Sequence, residues 1–573
     1  MPGLMKNVPV TDAQRRDNDR HRPAVVLAVL AVLCVYIYLF THIADTLGLP
    51  LPEDVADEIG LSIDHVFDSD RNVDSMLRIT QTQRFKKNDD ERLVYFLVLA
   101  LAFVSVYFLP LRHKQPALAF WTCVAIFLLY GSQATTALLA MHLVVFIVLH
   151  PKGDDRPWLA GFVGLFLWWT VFPELDSGAL GAALFVVLPA ATTAAYRWLI
   201  VPALAVPRLA PVLRTTTIQS AILTVCIGAF YEGLVGDEWK LPLGILLFFW
   251  QWERLMMYHV DFKDGLIPED ITFWKYLAVF LHPGAVSNWT WGVTIGQGYD
   301  YANNAFLCED KNKIVLSGVK IWGVALLYLI FWNWLRNHAV DFFTDLGVPV
   351  FRARTRSMVQ HFVEGGSVST PTVLMTTLLD LIRWMMIWAA VVHFKVGVWR
   401  VCGYRMDPYI NKPWLATNMA TLWSRFTFHY REFLVRCFYY PVFFRVFKTR
   451  PYLRVFVATM AAACVGNLVW GHVTERLYYR GLEFEHFLYP FGTWPYYVLL
   501  GIGISVAQIN IIRKRRRRKP WTLDRWFVTD LIAMYCTIQF FALIHIFSRP
   551  SPDGTVWDLF RLFLKGFGIS IAS

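Results

Sequence analysis

The run from residue 372 to residue 396, TVLMTTLLDLIRWMMIWAAVVHFKV, holds three charged side chains in 25 positions. About 20 helical residues cross the hydrocarbon layer of a bilayer, so this stretch has the length and character of a transmembrane helix. Two of its charges, Asp380 and Arg383, are three residues apart and fall on one helical face. Charge inside a span is costly and faces the protein interior, where a structural ion pair is the simplest reading.

Apolar stretches of the same kind recur along the whole chain. They run over 24 to 42, 93 to 109, 117 to 130, 135 to 149, 158 to 172, 178 to 194, 217 to 233 and 241 to 257, then 315 to 335, 455 to 471, 495 to 512 and 526 to 547. The sequence therefore predicts an all-α, multi-pass integral membrane protein with about a dozen transmembrane helices. Composition agrees: 56% of the 573 residues are hydrophobic and 17% charged, against roughly a quarter charged in soluble domains. Nothing reads as a sizeable soluble domain. The first stretch, Pro23 to Phe40, is long enough to span and lacks a small-residue cleavage site, so it is expected to be a retained helix.

The net charge of +11 is explained by orientation, not by nucleic acid. Its basic residues sit in short runs beside apolar segments, as the positive-inside rule places them on the cytoplasmic side. Arg513 to Lys519 is such a run, and Arg15, Arg16, Arg20 and Arg22 put the N-terminus inside. Residues 47 to 90 then form an acidic extracytoplasmic loop with Glu53, Asp54, Asp57 and Glu58 among its carboxylates. The eight cysteines are scattered with no CxxC pair or ligand spacing, which indicates neither a disulfide framework nor a metal site. Phe273 to Leu281 is apolar but too short to span, and reads as re-entrant, lining a cavity.

The region from Tyr404 to Arg454 is rich in Arg, Lys, His and aromatic residues, which suits amphipathic helices and turns at the cytoplasmic face. Asn411, Lys412 and Pro413 form a turn signal, and Thr417 or Asn418 can cap a following helix that carries Trp423, Arg425, His429 and Arg431. His472 ends an apolar helix after Val469, Trp470 and Gly471. An imidazole within a membrane suits proton transfer, because its ordinary pKa lies near neutrality. One connecting loop and one crossing separate His429 from His472, so the two can meet in a cavity.

At these residues the sequence resembles the membrane-bound O-acyltransferase family, in its bacterial branch of alginate O-acetylation and D-alanyl transfer. Asn411-Lys412-Pro413-Trp414-Leu415-Ala416-Thr417 followed by Leu422-Trp423-Ser424-Arg425-Phe426 is similar to the family's N-R-P-Y-L-A-x-S and F-W-R-R-W-H run. Tyr258 to Phe262, Phe273 to Gly284, Phe438-Tyr439-Tyr440-Pro441 and His545 to Arg549 with Trp557 to Phe563 resemble further motifs in the family order. The likeness spans about the last 320 residues. Three departures stand out. Thr427 occupies the first histidine spacing, with His429 two residues later; the second motif is reordered to Trp470-Gly471-His472; and Val442-Phe443-Phe444 replaces a family L-G-G.

The resemblance implies N-terminal transmembrane helices over 1–240 and an acyltransferase core over 241–573, built as a bundle around a central funnel or tunnel. It implies transfer of an acyl group, acetyl by preference, from a cytoplasmic thioester to a hydroxyl. His472 is the catalytic candidate, His429 a second, and Asn411, Trp423 and Arg425 the substrate-binding ones. No bound cofactor or metal is expected; acetyl-CoA or another acyl-CoA is the co-substrate, with an acyl carrier protein as the alternative donor. Partners are membrane lipid and an extracytoplasmic acyltransferase that modifies a cell-surface polysaccharide, which places the chain in a bacterial inner membrane. A transporter or flippase, and a scaffold for a polymer-synthesis complex, are the competing readings.

Overall fold

The computed structural model describes residues 11–38, 89–150, 155–171, 179–207, 250–281, 298–305, 310–470, 494–515, 526–548 and 554–571. Every regular element among them is helical. Among the described residues, five helices are long and apolar enough to cross a membrane: Ala182–Ala205, Lys311–Trp332, Thr370–Val401, Trp494–Arg513 and Val528–Ser548. Shorter apolar helices occur at Leu97–Phe108, Leu138–Leu149 and Pro451–Gly466. The acidic loop, apart from Asp89 and Asp90, and the stretch 217 to 233 lie outside the described residues.

The described residues pack as two compact units, one drawn from 1–39, 83–319 and 398–406, the other from 320–397 and 407–573. The first holds α1 (Asp12–Tyr38), α2 (Asp89–Phe108), α3 (Leu111–Leu149), α4 (Arg156–Val171), α5 (Ala179–Ala195), α6 (Trp250–Lys263), α7 (Phe273–Phe280) and α8 (Tyr299–Ala305). The 39 residues of α3 correct the expectation of two helices at 117 to 130 and 135 to 149. The polar interruption at Gly131, Ser132 and Gln133 does not end the helix. A glycine costs only about 1 kcal/mol there, less than leaving backbone groups unpaired in an apolar setting.

Helices α2, α4 and α7 pack against α3, and α5 packs on α4. The last pair is close because Gly161 and Gly164 lack side chains: a Cβ on Gly164 would lie 2.5 Å from the Leu188 carbonyl oxygen. Small residues at such a crossing let backbones approach where lipid supplies no hydrophobic drive. The segment expected to be re-entrant is α7, capped by Thr272, whose side chain accepts a hydrogen bond from the Lys275 amide at 3.4 Å. Its Tyr276 to Phe280 are buried, and its eight residues reach only about 12 Å.

The second unit holds α10 (Thr355–Val363), α12 (Met419–Phe426), α13 (Phe428–Leu434), α14 (Pro451–Met460), α15 (Trp494–Arg515), α16 (Trp526–Ile544) and α17 (Val556–Lys565). The chain passes between units within α9 (Lys311–Asp345) and α11 (Thr370–Val401). Helix α15 packs against α12, α14 and α16. In α11 the predicted pair forms: Arg383 Nη2 donates to Asp380 Oδ1 at 2.6 Å and Nε to the same oxygen at 3.0 Å, with both side chains buried. The other carboxylate oxygen accepts the Thr355 amide at 3.1 Å, so the pair also caps the start of α10. At the C-terminal end, Thr555 and Asp558 form a reciprocal capping box, and α17 buries Leu559, Leu562 and Phe563 while Trp557 stays exposed.

Candidate functional site

The site is built from Asp407 to Trp470, within the second unit. Lys412 adopts a left-handed conformation with φ of 47° and turns the chain into a 3-10 turn at Pro413–Leu415. Asn418 is the cap of α12: its Oδ1 accepts the Thr421 amide at 2.9 Å and the Thr421 hydroxyl at 3.0 Å. Met419, Leu422 and Phe426 then form the buried stripe of that helix at spacings of three and four.

This folding brings Asn411 and Arg425 together across fourteen positions. The Asn411 amide donates to the Arg425 carbonyl at 2.7 Å, and Arg425 Nη1 donates to the Lys412 carbonyl at 3.4 Å. The Asn411 side chain remains exposed, and Trp423 and Arg425 are half-buried on the same short helix. The three predicted substrate-binding residues therefore share one turn-and-helix unit, with polar groups open to a ligand.

His429 is placed differently. Its side chain is buried, with Nε2 hydrogen-bonded to the Asp407 carbonyl at 3.1 Å and the ring between Tyr409 and Phe428. Burial pulls its pKa down to about 4, against the opposing effect of that hydrogen bond. A neutral imidazole enclosed this way ties α13 to the 407–409 segment. That is the geometry of a structural histidine.

His472 lies outside the described residues, as do His282 to Gly284. The helical path toward it is described as far as Trp470. After α14 the helix widens into a π-turn at Ala461–Gly466, and a second π-turn follows α13 at Val435–Tyr439. The two π-turns pack together. A Cβ on Gly466 would lie 2.8 Å from Leu434 Cδ2 and 3.1 Å from the Phe438 ring. Each π-turn carries an extra residue per turn, a strain that recurs at functional sites.

Two residues that sequence reasoning passed over link α13 to the helix that ends at Trp470. The Tyr430 hydroxyl donates to Asn467 Oδ1 at 2.8 Å, and Asn467 Nδ2 donates to the Ala463 carbonyl at 2.8 Å. Asn467 is buried in an otherwise apolar helix, and a polar side chain there was the signal available in the sequence. Thr427, the residue at the first histidine spacing, has a buried hydroxyl with no hydrogen-bond partner among the described residues. Chemically, the segment offers an open amide and guanidinium beside a buried hydroxyl donor.

The first unit carries a separate polar cluster. His150 Nε2 and the Tyr258 hydroxyl are 2.7 Å apart, and His142 Nδ1 and the Tyr276 hydroxyl 3.4 Å apart. The Tyr258 and Tyr276 rings meet edge to face at 5.3 Å. Asp261, in the same motif as Tyr258, accepts the Asp300 amide at 3.0 Å and so caps α8. A Cβ on Gly298 would clash with that carboxylate, which explains a glycine there.

No known family's sequence profile matches the chain, and no curated protein matches it.

Proposed function

We propose that the chain is a membrane-bound O-acyltransferase that moves an acyl group, acetyl by preference, from a cytoplasmic thioester to a hydroxyl acceptor. The bundle would contain about a dozen spans around a funnel or tunnel. The observation that carries this reading is the Tyr430–Asn467 hydrogen bond, which ties α13, just after the first resembling motif, to the helix that leads toward the second. Support also comes from Asn411, Trp423 and Arg425 sharing one turn-and-helix unit.

In this reaction a general base takes the acceptor hydroxyl proton, the oxygen attacks the thioester carbonyl, and the carbon–sulfur bond breaks. The departing thiolate then takes up the proton. His472 is the proposed base, since His429 is enclosed. Arg425, Asn411 or Thr427 would donate to the developing oxyanion. For an inner-membrane protein working with an extracytoplasmic acyltransferase on a surface polysaccharide, the donor is acetyl-CoA, with an acyl carrier protein as the alternative. The test is transfer of label from acetyl-CoA and from an acyl carrier protein thioester, each offered to the purified protein in vesicles. Turnover of neither would end the proposal.

One observation favours a second reading, a proton-coupled transporter: the adjoining His142–Tyr276 and Tyr258–His150 pairs set four titratable groups side by side on α6, α7 and the C-terminal end of α3. Proton uptake by sealed vesicles under a membrane potential, lost in Tyr258→Phe, would support it over acyl transfer.

A further inference from the structure

Between Glu432 and Glu475 the sequence contains no acidic residue, yet it contains Arg436, Arg445, Lys448, Arg450 and Arg454. The centre of this stretch is the tip that joins the π-turn after α13 to α14. Its backbone closes on itself: the Phe444 amide donates to the Tyr440 carbonyl at 3.1 Å, the Val446 amide to Val442 at 3.0 Å and the Arg450 amide to Phe447 at 3.0 Å. Phe447 takes a left-handed conformation with φ of 51°, which turns the chain back toward α14.

Four aromatic side chains form two pairs at this tip. Tyr439 and Phe443 stack at 5.2 Å, and the Arg454 guanidinium lies 3.8 Å over the Phe443 ring. That pair is closed off by the protein itself. Tyr440 and Phe444 pair at 5.7 Å on the other side, and there the rings are open, Phe444 being 62% exposed and Tyr440 45%. Phe447 is 42% exposed, and Arg445, Lys448, Thr449 and Arg450 are exposed beside it. Beyond the tip, Phe456 is exposed on α14, the first part of the apolar helix Pro451–Gly466.

Open rings interleaved with cations, directly before an apolar helix, match the chemistry of a bilayer interface. Aromatic rings sit at headgroup depth, and Lys and Arg near an anionic leaflet each gain about 1 kcal/mol. A soluble acidic partner would satisfy the cations but has no need of Phe444 and Phe447 beside an apolar helix. We infer that the 440–450 tip is a docking surface for anionic phospholipid, its rings entering the acyl boundary and Arg445, Lys448 and Arg450 pairing with the phosphates. The inference rests on the chain spanning a membrane and is independent of its chemistry.

The test places a benzophenone-bearing amino acid at Phe444 in the full chain, in nanodiscs of equal phosphatidylglycerol and phosphatidylcholine, and identifies the photo-crosslinked species by mass spectrometry. Lipid adducts are expected, with phosphatidylglycerol enriched at least about fivefold, the factor that one cation contributes. Arg445→Gln, Lys448→Gln and Arg450→Gln together should bring the ratio to that of the bulk while lipid adducts persist. The persisting adducts show that the tip is still inserted. Absence of lipid adducts, a bulk ratio in the unmodified tip, or enrichment that survives the triple change would each overturn the inference. So would crosslinking to an acidic soluble protein in place of lipid when cytosol is added.

Discussion

Replacing His429 separates a structural role from a part in the proposed acyl transfer. Its imidazole is fully enclosed and hydrogen-bonded to the Asp407 carbonyl. His429→Ala removes that hydrogen bond, worth about 0.5 to 1.5 kcal/mol, and opens a cavity where the ring packed on Tyr409 and Phe428. Together these predict a loss of about 3 to 5 kcal/mol, whereas His429→Gln, which keeps a donor, loses about half as much. There is a pH signature as well. With the folded pKa at about 4 against an ordinary 6.5, the folded state favours neutral imidazole. The stabilisation is complete above pH 6.5 and is lost as pH falls toward 4, a span of about 3 kcal/mol. The assay is the soluble fraction surviving a heat ramp in detergent, run at pH 7.5 and pH 5, beside turnover per folded molecule. The Ala variant should melt earlier at pH 7.5 and show a shallower pH dependence, with turnover per folded molecule retained. Unchanged melting with abolished turnover would refute the reasoning and return His429 to the reaction.

Two other changes test the packing. Arg383→Leu takes the opposite charge away from the buried Asp380 carboxylate, which also caps α10, and should destabilise by about 3 to 5 kcal/mol in the same heat ramp; adding Asp380→Leu should recover part of that loss. Gly164→Ala forces its methyl against the Leu188 backbone and should cost about 1 to 3 kcal/mol, seen as earlier melting; the same change at Gly323, which meets nothing within 4 Å, should have no such effect.

What the sequence made legible followed from local chemistry. The helical class came from apolar length, the Asp380–Arg383 pair from spacing, and the cap of α12 from the choice between Thr417 and Asn418, which the structure resolves to Asn418. Residues 130 to 135 misled, because polar side chains near a glycine read as a break while the backbone has no better partner than the helix itself. Within the site, the association of Asn411 with Arg425 is made through backbone groups, which side-chain identity does not reveal. Asn467 left a signal, a polar side chain in an apolar helix, but its pairing with Tyr430 did not. The π-turn at Ala461–Gly466 directly precedes Asn467, and its extra residue shifts the helical face away from regular spacing. The burial of His429 arises from the 407–409 segment folding over it, a tertiary contact with no periodic signal.

The most direct test of the proposed activity is labelled acetyl-CoA supplied to vesicles containing either the unmodified chain or His472→Ala, with acceptor polysaccharide and membrane extract present. The account predicts transfer by the unmodified chain and a fall of about a hundredfold to ten-thousandfold in an equally well-assembled variant. Undiminished transfer by His472→Ala, or no transfer from any thioester by the unmodified chain, would contradict it.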